Sequence, residues 1–391
     1  MDKKKIGVVI YANPDYYPPT VNAIRLLSAQ FDVVLIGRNY DPIDCEYPNN
    51  VRVIRLGKYS SIVERMQASS ANKFWEYINF IVNVKDLFKD VSLIYAYDSF
   101  GYVAAYLSRF FSFHKAPTIY QNHEISKYME PLHSLTGWIQ RAEKKFIHKA
   151  NIVVFPDRDR ANLFQTQMNL SRQPIIVPNF PLNSQFVLDE NWMSIIEMRW
   201  KFVTLFYRGW ISETSSMKEM ITTTSLLSKL IKHINIRFVG FIHDDVYNDL
   251  KNWVNCENIS NRFSYLGVLP YKDLQDPTFS SSIGFALYKN KSFDRVACAS
   301  ACNKIYEYAA CGLPVVVSDF STYRDYLSGE SWVRFADPDD PHSIVSAVLD
   351  ILSDLESYKS MCVSARTAFE QKFNYESVFS PLLADIKSLV A

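Results

Sequence analysis

The sequence predicts an α/β protein made of two doubly wound parallel-sheet domains. Three observations carry that expectation. Short apolar runs without polar alternation recur along the chain, as strands buried on both faces require. Longer amphipathic segments separate them, giving the strand–helix–strand rhythm of a parallel sheet. The rhythm breaks once, over "NFPLNSQFVLDENWMSIIEMRW" (179–200), and then resumes.

In the first half, strands are expected at "KIGVVIYA" (5–12), "DVVLIG" (32–37), "VRVIRLG" (51–57), "VSLIYAY" (91–97), "PTIYQN" (117–122), "IVVFP" (152–156) and "PIIVP" (174–178). Helical patterns near 20–30, 62–89, 99–111, 134–149 and 158–168 lie between them. After the break, strands are expected at 202–209, 234–240, 262–267, 282–288, 313–319 and 331–336. Helices near 217–232, 244–255, 303–311, 322–328 and 341–353 separate these. The expected domains are 1–185 and 195–370, with no sequence repeat between them. Ligands of open α/β sheets bind outside the carboxyl ends of the strands, so the expected site is a cleft where two such sheets face each other.

Composition bounds the class. A chain of 391 residues with 48% hydrophobic and 21% charged residues is globular rather than disordered, and 11 glycines exclude fibrous sequences. Its longest apolar stretch, "FWEYINFIVNVKDLF", is interrupted by Glu76 and Lys85 and reads as an amphipathic helix, not a membrane span. "MDKKKIGVVIYA" runs straight into a strand, so no signal peptide is expected. Cys45, Cys256, Cys298, Cys302, Cys311 and Cys362 are scattered without metal-type spacing, the usage of a reduced cytoplasmic protein. The sequons at Asn169 and Asn258 are then chance matches. Net charge is +1, divided into +6 over 1–180 and −5 over 181–391. Either the first half meets an anionic partner, or the charge drifts between domains without consequence.

The most informative segment is "CNKIYEYAACGLPVVVSD", Cys302 to Asp319: a helix, a tight Gly-Pro turn and a buried strand. Asn303 is expected to cap the helix. The helix start offers free N–H groups and a partial positive charge that suit a diphosphate. Glu307, four residues on, could accept two hydrogen bonds from a ribose diol, or could simply be solvated. His123 in "YQNHEISKY" follows an expected strand, as a site residue or as a packing histidine, with Glu124 beside it.

"NKIYEYAACGLPVVVSD" resembles the donor-site signature of retaining GT-B glycosyltransferases, in particular glycosyltransferase family 4. "FSYLGVLPYKDL" and "SSIGFALY" resemble the stretch that precedes it, and "YRGWISETSSMKEMITTTSLL" (207–227) the opening of the nucleotide-binding domain. "IIVPNF" (175–180) resembles the end of the acceptor domain. "NYESVFSPLLADI" (374–386) resembles the closing helix, so 374–391 is expected to return to the first domain. The likeness is strongest over 262–319 and weak before 117.

The resemblance implies an enzyme that moves a hexosyl or related sugar from a nucleotide diphosphate sugar to a glycan or lipid-linked acceptor. It implies retention of configuration and a setting in surface polysaccharide or glycolipid assembly. Glu307 would hold the ribose, and Cys302, Asn303, Lys304, Arg208 and Gly209 the diphosphate. His123, with Glu124, would stand near the donor sugar as the catalytic pair. In the loop "YANPDYYPPTVNAI" (11–24), Tyr16, Tyr17 and Thr20 are candidates for the acceptor, although the loop also reads as a structural turn. It lacks G-x-G-x-x-G, which argues against a dehydrogenase.

Three departures from the family pattern stand out. The first of its two paired glutamates is replaced by Ala299. Trp210 and Ser215 stand near the places of its loop cations. Departure of a nucleotide still needs positive charge, for which Arg208 and Lys304, or Lys289, Lys291 and Arg295, are the nearest candidates. A sugar-nucleotide epimerase, a phosphorylase and a catalytically weak nucleotide-binding relative are the alternatives.

With no H-x-x-x-H, neither metal nor cofactor is expected, nor a nucleic-acid partner. Asp157 is expected to cap the helix of "FPDRDRANLF". "GWIQRAEKKFIHKA" (137–150) combines Trp138, Phe146 and Ile147 with Arg141, Lys144, Lys145 and Lys149. It reads either as an ordinary docked helix or as a contact with an anionic membrane, which would place the protein at the inner membrane face.

Overall fold

The computed structural model describes residues 3–40, 45–60, 69–112, 115–123, 134–188, 192–290 and 299–391. The chain forms two compact units, Met1–Asn179 with Val378–Ala391, and Phe180–Ser377.

The first unit holds a seven-stranded sheet: β1 (Lys5–Ile10), β2 (Asp32–Tyr40), β3 (Val51–Ser60), β4 (Leu93–Tyr97), β5 (Thr118–Gln121), β6 (Ile152–Phe155) and β7 (Ile175–Ile176). Its order is β3-β2-β1-β4-β5-β6-β7, and every pair is parallel. Between the strands run α1 (Pro18–Ser28), α2 (Ser70–Leu87), α3 (Asp98–Ser112), α4 (Leu135–Phe146) and α5 (Arg158–Met168). Strands such as "KIGVVI" bury nearly every side chain because helices cover the sheet, which is why they read as unbroken apolar runs. One core joins Val9, Ile36, Ile94 and Phe155 of the sheet to Tyr77, Phe80, Tyr102, Ile139 and Phe164 of α2 to α5.

The second unit repeats the plan with six strands. These are β8 (Val203–Arg208), β9 (Ile234–Val239), β10 (Phe263–Tyr265), β11 (Ile283–Ala286), β12 (Val315–Ser318) and β13 (Val333–Ala336). Their order is β10-β9-β8-β11-β12-β13, again all parallel. Its helices are α6 (Ser194–Lys201), α7 (Met217–Ser228), α8 (Asp244–Cys256), α9 (Gln275–Phe279), α10 (Asn303–Ala310), α11 (Ser321–Leu327), α12 (Pro341–Ile351) and α13 (Leu355–Gln371); α14 (Tyr375–Val390) closes the chain.

Both sheets are therefore doubly wound, as the alternation in the sequence implies. Each reverses its strand order once, between β1 and β4 and between β8 and β11. Such a reversal sends neighbouring connections to opposite faces and opens a crevice at the carboxyl ends of the strands. The break in the sequence pattern is not structureless, since it contains α6.

Candidate functional site

In the second unit the switch point lies between β8 and β11, and α10 packs over it. Gly284 on β11 makes that approach possible, because a Cβ there would fall 2.2 Å from the Tyr308 ring. The Tyr308 hydroxyl then lies 3.2 Å from the Phe285 carbonyl and accepts the Arg208 N–H at 3.1 Å, bridging the two strands. Two buried arginines hold the far end of the same helix. Arg199 donates to the carbonyls of Cys311 (3.1 Å) and Gly312 (3.2 Å), and Arg366 to that of Ala310 (2.6 Å). Cations on the last carbonyls of a helix satisfy orphan acceptors and complement its dipole.

Arg208, the last residue of β8, points into this arrangement. Its Nη1 lies 3.2 Å from Glu307 Oε2, with both side chains at most 6% exposed. Burial works against the Arg208 charge, but the Glu307 carboxylate together with Tyr271, Tyr308 and Cys311 offsets it and holds the guanidinium above its ordinary pKa. Tyr271 donates its hydroxyl to Glu307 and is pushed well above the usual tyrosine range, first by burial and then by that carboxylate. Glu307 is thus neither solvated nor alone.

Lys304 differs. It is 8% exposed, and its Nζ sits 3.7 Å over the Tyr207 ring and 4.9 Å from that of Tyr288. Among the described residues no carboxylate pairs with it, so aromatic faces hold a charge that remains available to an anion. Gly209 frames the ammonium from the strand side. It has φ +116, and a Cβ there would stand 3.3 Å from Lys304 Nζ.

In the first unit, His123 follows β5. It is 7% exposed and stacked between Tyr17 (5.0 Å, 11°) and Tyr97 (5.1 Å, 13°). Its Nε2 meets Thr20 Oγ1 at 2.8 Å, its N–H donates to Asp98 Oδ1 at 2.8 Å, and its carbonyl accepts from Arg160 at 2.9 Å. Asp98 itself has a left-handed backbone, φ 56, at the carboxyl end of β4. Asp157 caps α5 as expected, accepting the Arg160 N–H at 2.7 Å. Burial pushes its carboxyl up to about 6, against the pull of Arg160.

The structure thus brings together Arg208, Gly209, Lys304 and Glu307 in one unit, and Tyr17, Thr20 and His123 in the other. Tyr16 is 47% exposed on the same loop. Glu124, Lys291 and Arg295 lie outside the described residues.

Two local expectations, for Asn303 and Lys289, are corrected. Asn303 is the first helical residue of α10 rather than its cap; that position falls to Cys302, whose side chain makes no capping bond. Lys289 is matched by Glu219 (2.7 Å) and Asp339 (3.2 Å), so its charge is already neutralised. Ser215 is buried with its Oγ 2.7 Å from the Tyr207 hydroxyl, and Trp210 is 57% exposed. Ala299 is buried, and its carbonyl accepts from Tyr306 at 2.7 Å.

Sequence reasoning missed Tyr271, Tyr97, Asp98 and the helix-fixing Arg199 and Arg366. Nothing in their local spacing links them to the site; they meet it only through the fold. A cavity of about 560 Å³ lined by Asn183, Phe186, Arg366 and Glu376 lies in the second unit and contains none of the donor candidates.

No protein-family model matches the sequence, and none of the curated proteins does. Solved structures do match in fold. The chain is similar to sucrose-phosphate synthase from Thermosynechococcus elongatus (TM-score 0.73, 14% identity, covering 99% of each chain). It is similar also to a glycosyltransferase from Rickettsia africae (0.70, 13% identity, 100% of this chain and 99% of that one). A third is Anabaena HepE in complex with UDP and glucose (0.66, 13% identity, 99% and 100%). At such identities the likeness shows the fold: two parallel doubly wound sheets in the GT-B arrangement of these glycosyltransferases.

Proposed function

We propose that the protein is a glycosyltransferase that moves a sugar from a nucleotide diphosphate sugar to a glycan or glycolipid acceptor, with retention of configuration. The observation that carries this reading is the Lys304–Glu307–Arg208 cluster on α10 and β8, at the switch point of a GT-B sheet. Lys304 meets the diphosphate and neutralises the charge that grows there as the glycosidic bond to phosphate breaks. Glu307, oriented by Arg208 and Tyr271, accepts from the ribose hydroxyls. His123, fixed by Thr20 and two tyrosine faces, serves the donor sugar, and Tyr17 with Thr20 the acceptor side. The reaction needs no metal, because cations and the start of α10 supply the positive field. The complex of HepE with UDP and glucose supports a nucleotide sugar as donor. The setting proposed is surface polysaccharide assembly.

The test is product analysis. The enzyme, a panel of sugar nucleotides and a glycan or glycolipid acceptor should release nucleoside diphosphate only when acceptor is present, and the new linkage should keep the donor's anomeric form. An epimerised sugar nucleotide, or a sugar phosphate formed only with added phosphate, would contradict the reading. Ala299, where the family pattern has a carboxylate, favours a second reading as a nucleotide-binding relative. That reading predicts binding without turnover.

A further inference from the structure

The exposed face of α4 is built unlike an ordinary solvated helix. Trp138, Arg141 and Lys145 follow at i, i+3 and i+7 and share one exposed face, flanked by exposed Lys144 and Lys149. The one acid of this helix, Glu143, is turned inward and accepts from the buried Tyr120 hydroxyl, so it does not offset Lys144 and Lys145. Ile147 is buried and contributes nothing to this face.

The neighbouring helix supplies the apolar part instead. At the start of α2, Trp75 is 64% and Phe74 41% exposed, and the Phe74 ring stands 6.3 Å from that of Trp138. Glu76, beside them, is paired with Arg38 at 2.6 Å. The first unit as a whole carries 23 Lys and Arg against 17 Asp and Glu, a net +6.

We propose that the first turns of α2 and the exposed face of α4, with Trp138 near its start and Lys144 and Lys145 in its last turn, form a docking surface for an anionic lipid bilayer. Tryptophan and phenylalanine next to lysine and arginine is the composition that settles at a charged lipid–water boundary. A protein partner fits less well, since lysine is depleted from protein interfaces. Among the described residues no helix is long and apolar enough to cross a membrane. The topology gives it a purpose. α4 follows β5 and α2 precedes β4, so both helices start at the carboxyl edge of the sheet, the edge that carries His123 and Thr20. A lipid-linked acceptor would then enter from the bound surface. The proposal does not depend on glycosyl transfer, because vesicle binding is measured without turnover.

The test is sedimentation of the full chain with vesicles of phosphatidylcholine, alone or with one-third phosphatidylglycerol. At low salt, binding to the anionic vesicles should exceed binding to neutral ones by roughly tenfold or more, and high salt should abolish the difference. The double variant Trp75→Ala/Trp138→Ala should lose about tenfold of that binding while keeping the wild-type melting temperature. Lys144→Gln/Lys145→Gln should lose the preference for anionic lipid. No binding at low salt, or equal binding by wild type and the tryptophan variant, would overturn the proposal.

Discussion

Arg208 and Glu307 close a buried ion pair, Nη1 to Oε2 at 3.2 Å, although they come from β8 and α10, about a hundred residues apart in sequence. From the sequence alone the two fall to different parts of a donor, diphosphate and ribose. In the structure one positions the other. Removing a single member leaves its partner buried and unmatched, at a cost of roughly 3–5 kcal/mol.

Glu307→Gln is therefore expected to lower stability as well as donor affinity. The double variant Arg208→Met/Glu307→Gln should recover most of the stability and none of the affinity. Denaturation curves and nucleotide titrations on the three proteins separate these effects. If affinity returned together with stability, Glu307 would be a structural residue only.

Lys304→Met keeps the packing against Tyr207 and removes the charge. Charge-assisted hydrogen bonds are worth roughly 1.5–3 kcal/mol, so nucleoside diphosphate binding should weaken about 10- to 100-fold. Binding of the corresponding nucleoside should not change. An equal loss for both ligands would move Lys304 away from the phosphates.

His123→Ala is expected to cut turnover about 100-fold or more, the usual scale for a positioned acid or base. Thr20→Val, which removes the partner of Nε2, should cost less in rate but shift the pH dependence of kcat. Rates for His123→Ala equal to wild type, in a protein with unchanged circular dichroism, would take the histidine out of the site.

Asp157 gives a signed pH effect. Its folded pKa is raised from 3.8 to about 6, so the native state keeps a proton that the unfolded chain has released. The resulting stabilisation is complete below pH 3.8 and is lost as pH rises through 6, by roughly 3 kcal/mol at most. Asp157→Asn keeps a capping side chain and should flatten the fall in melting temperature over that window. Parallel curves for wild type and variant would show that Asp157 titrates normally.

The strand–helix alternation was legible because each sheet is covered on both faces, which turns its strands into continuous apolar runs. Helix α6 was not legible, because "SIIEMRWK" is short and its buried Arg199 reads as a surface residue until its carbonyl partners are known. Glu307 and Lys304 were legible from one helix and its family likeness. The Glu307 partners Arg208 and Tyr271 depend on contacts between distant segments, which local spacing does not encode. His123 stood out by its place after a strand, whereas the Tyr17 and Tyr97 faces around it required the fold. Asn303 misled because asparagine favours the cap, yet the helix begins on it.

The central claim is that α10 and β8 hold the ribose and diphosphate of a nucleotide donor. Calorimetric titration of the wild-type protein with UDP, GDP, ADP, CDP and dTDP, followed by the 2′,3′-dideoxy form of the tightest ribonucleotide, tests it directly. The account predicts that at least one of them binds, and that loss of both ribose hydroxyls weakens binding by about tenfold or more, as the loss of hydrogen bonds to a carboxylate should. Binding of none of the five, or equal binding of the dideoxy form, would contradict it.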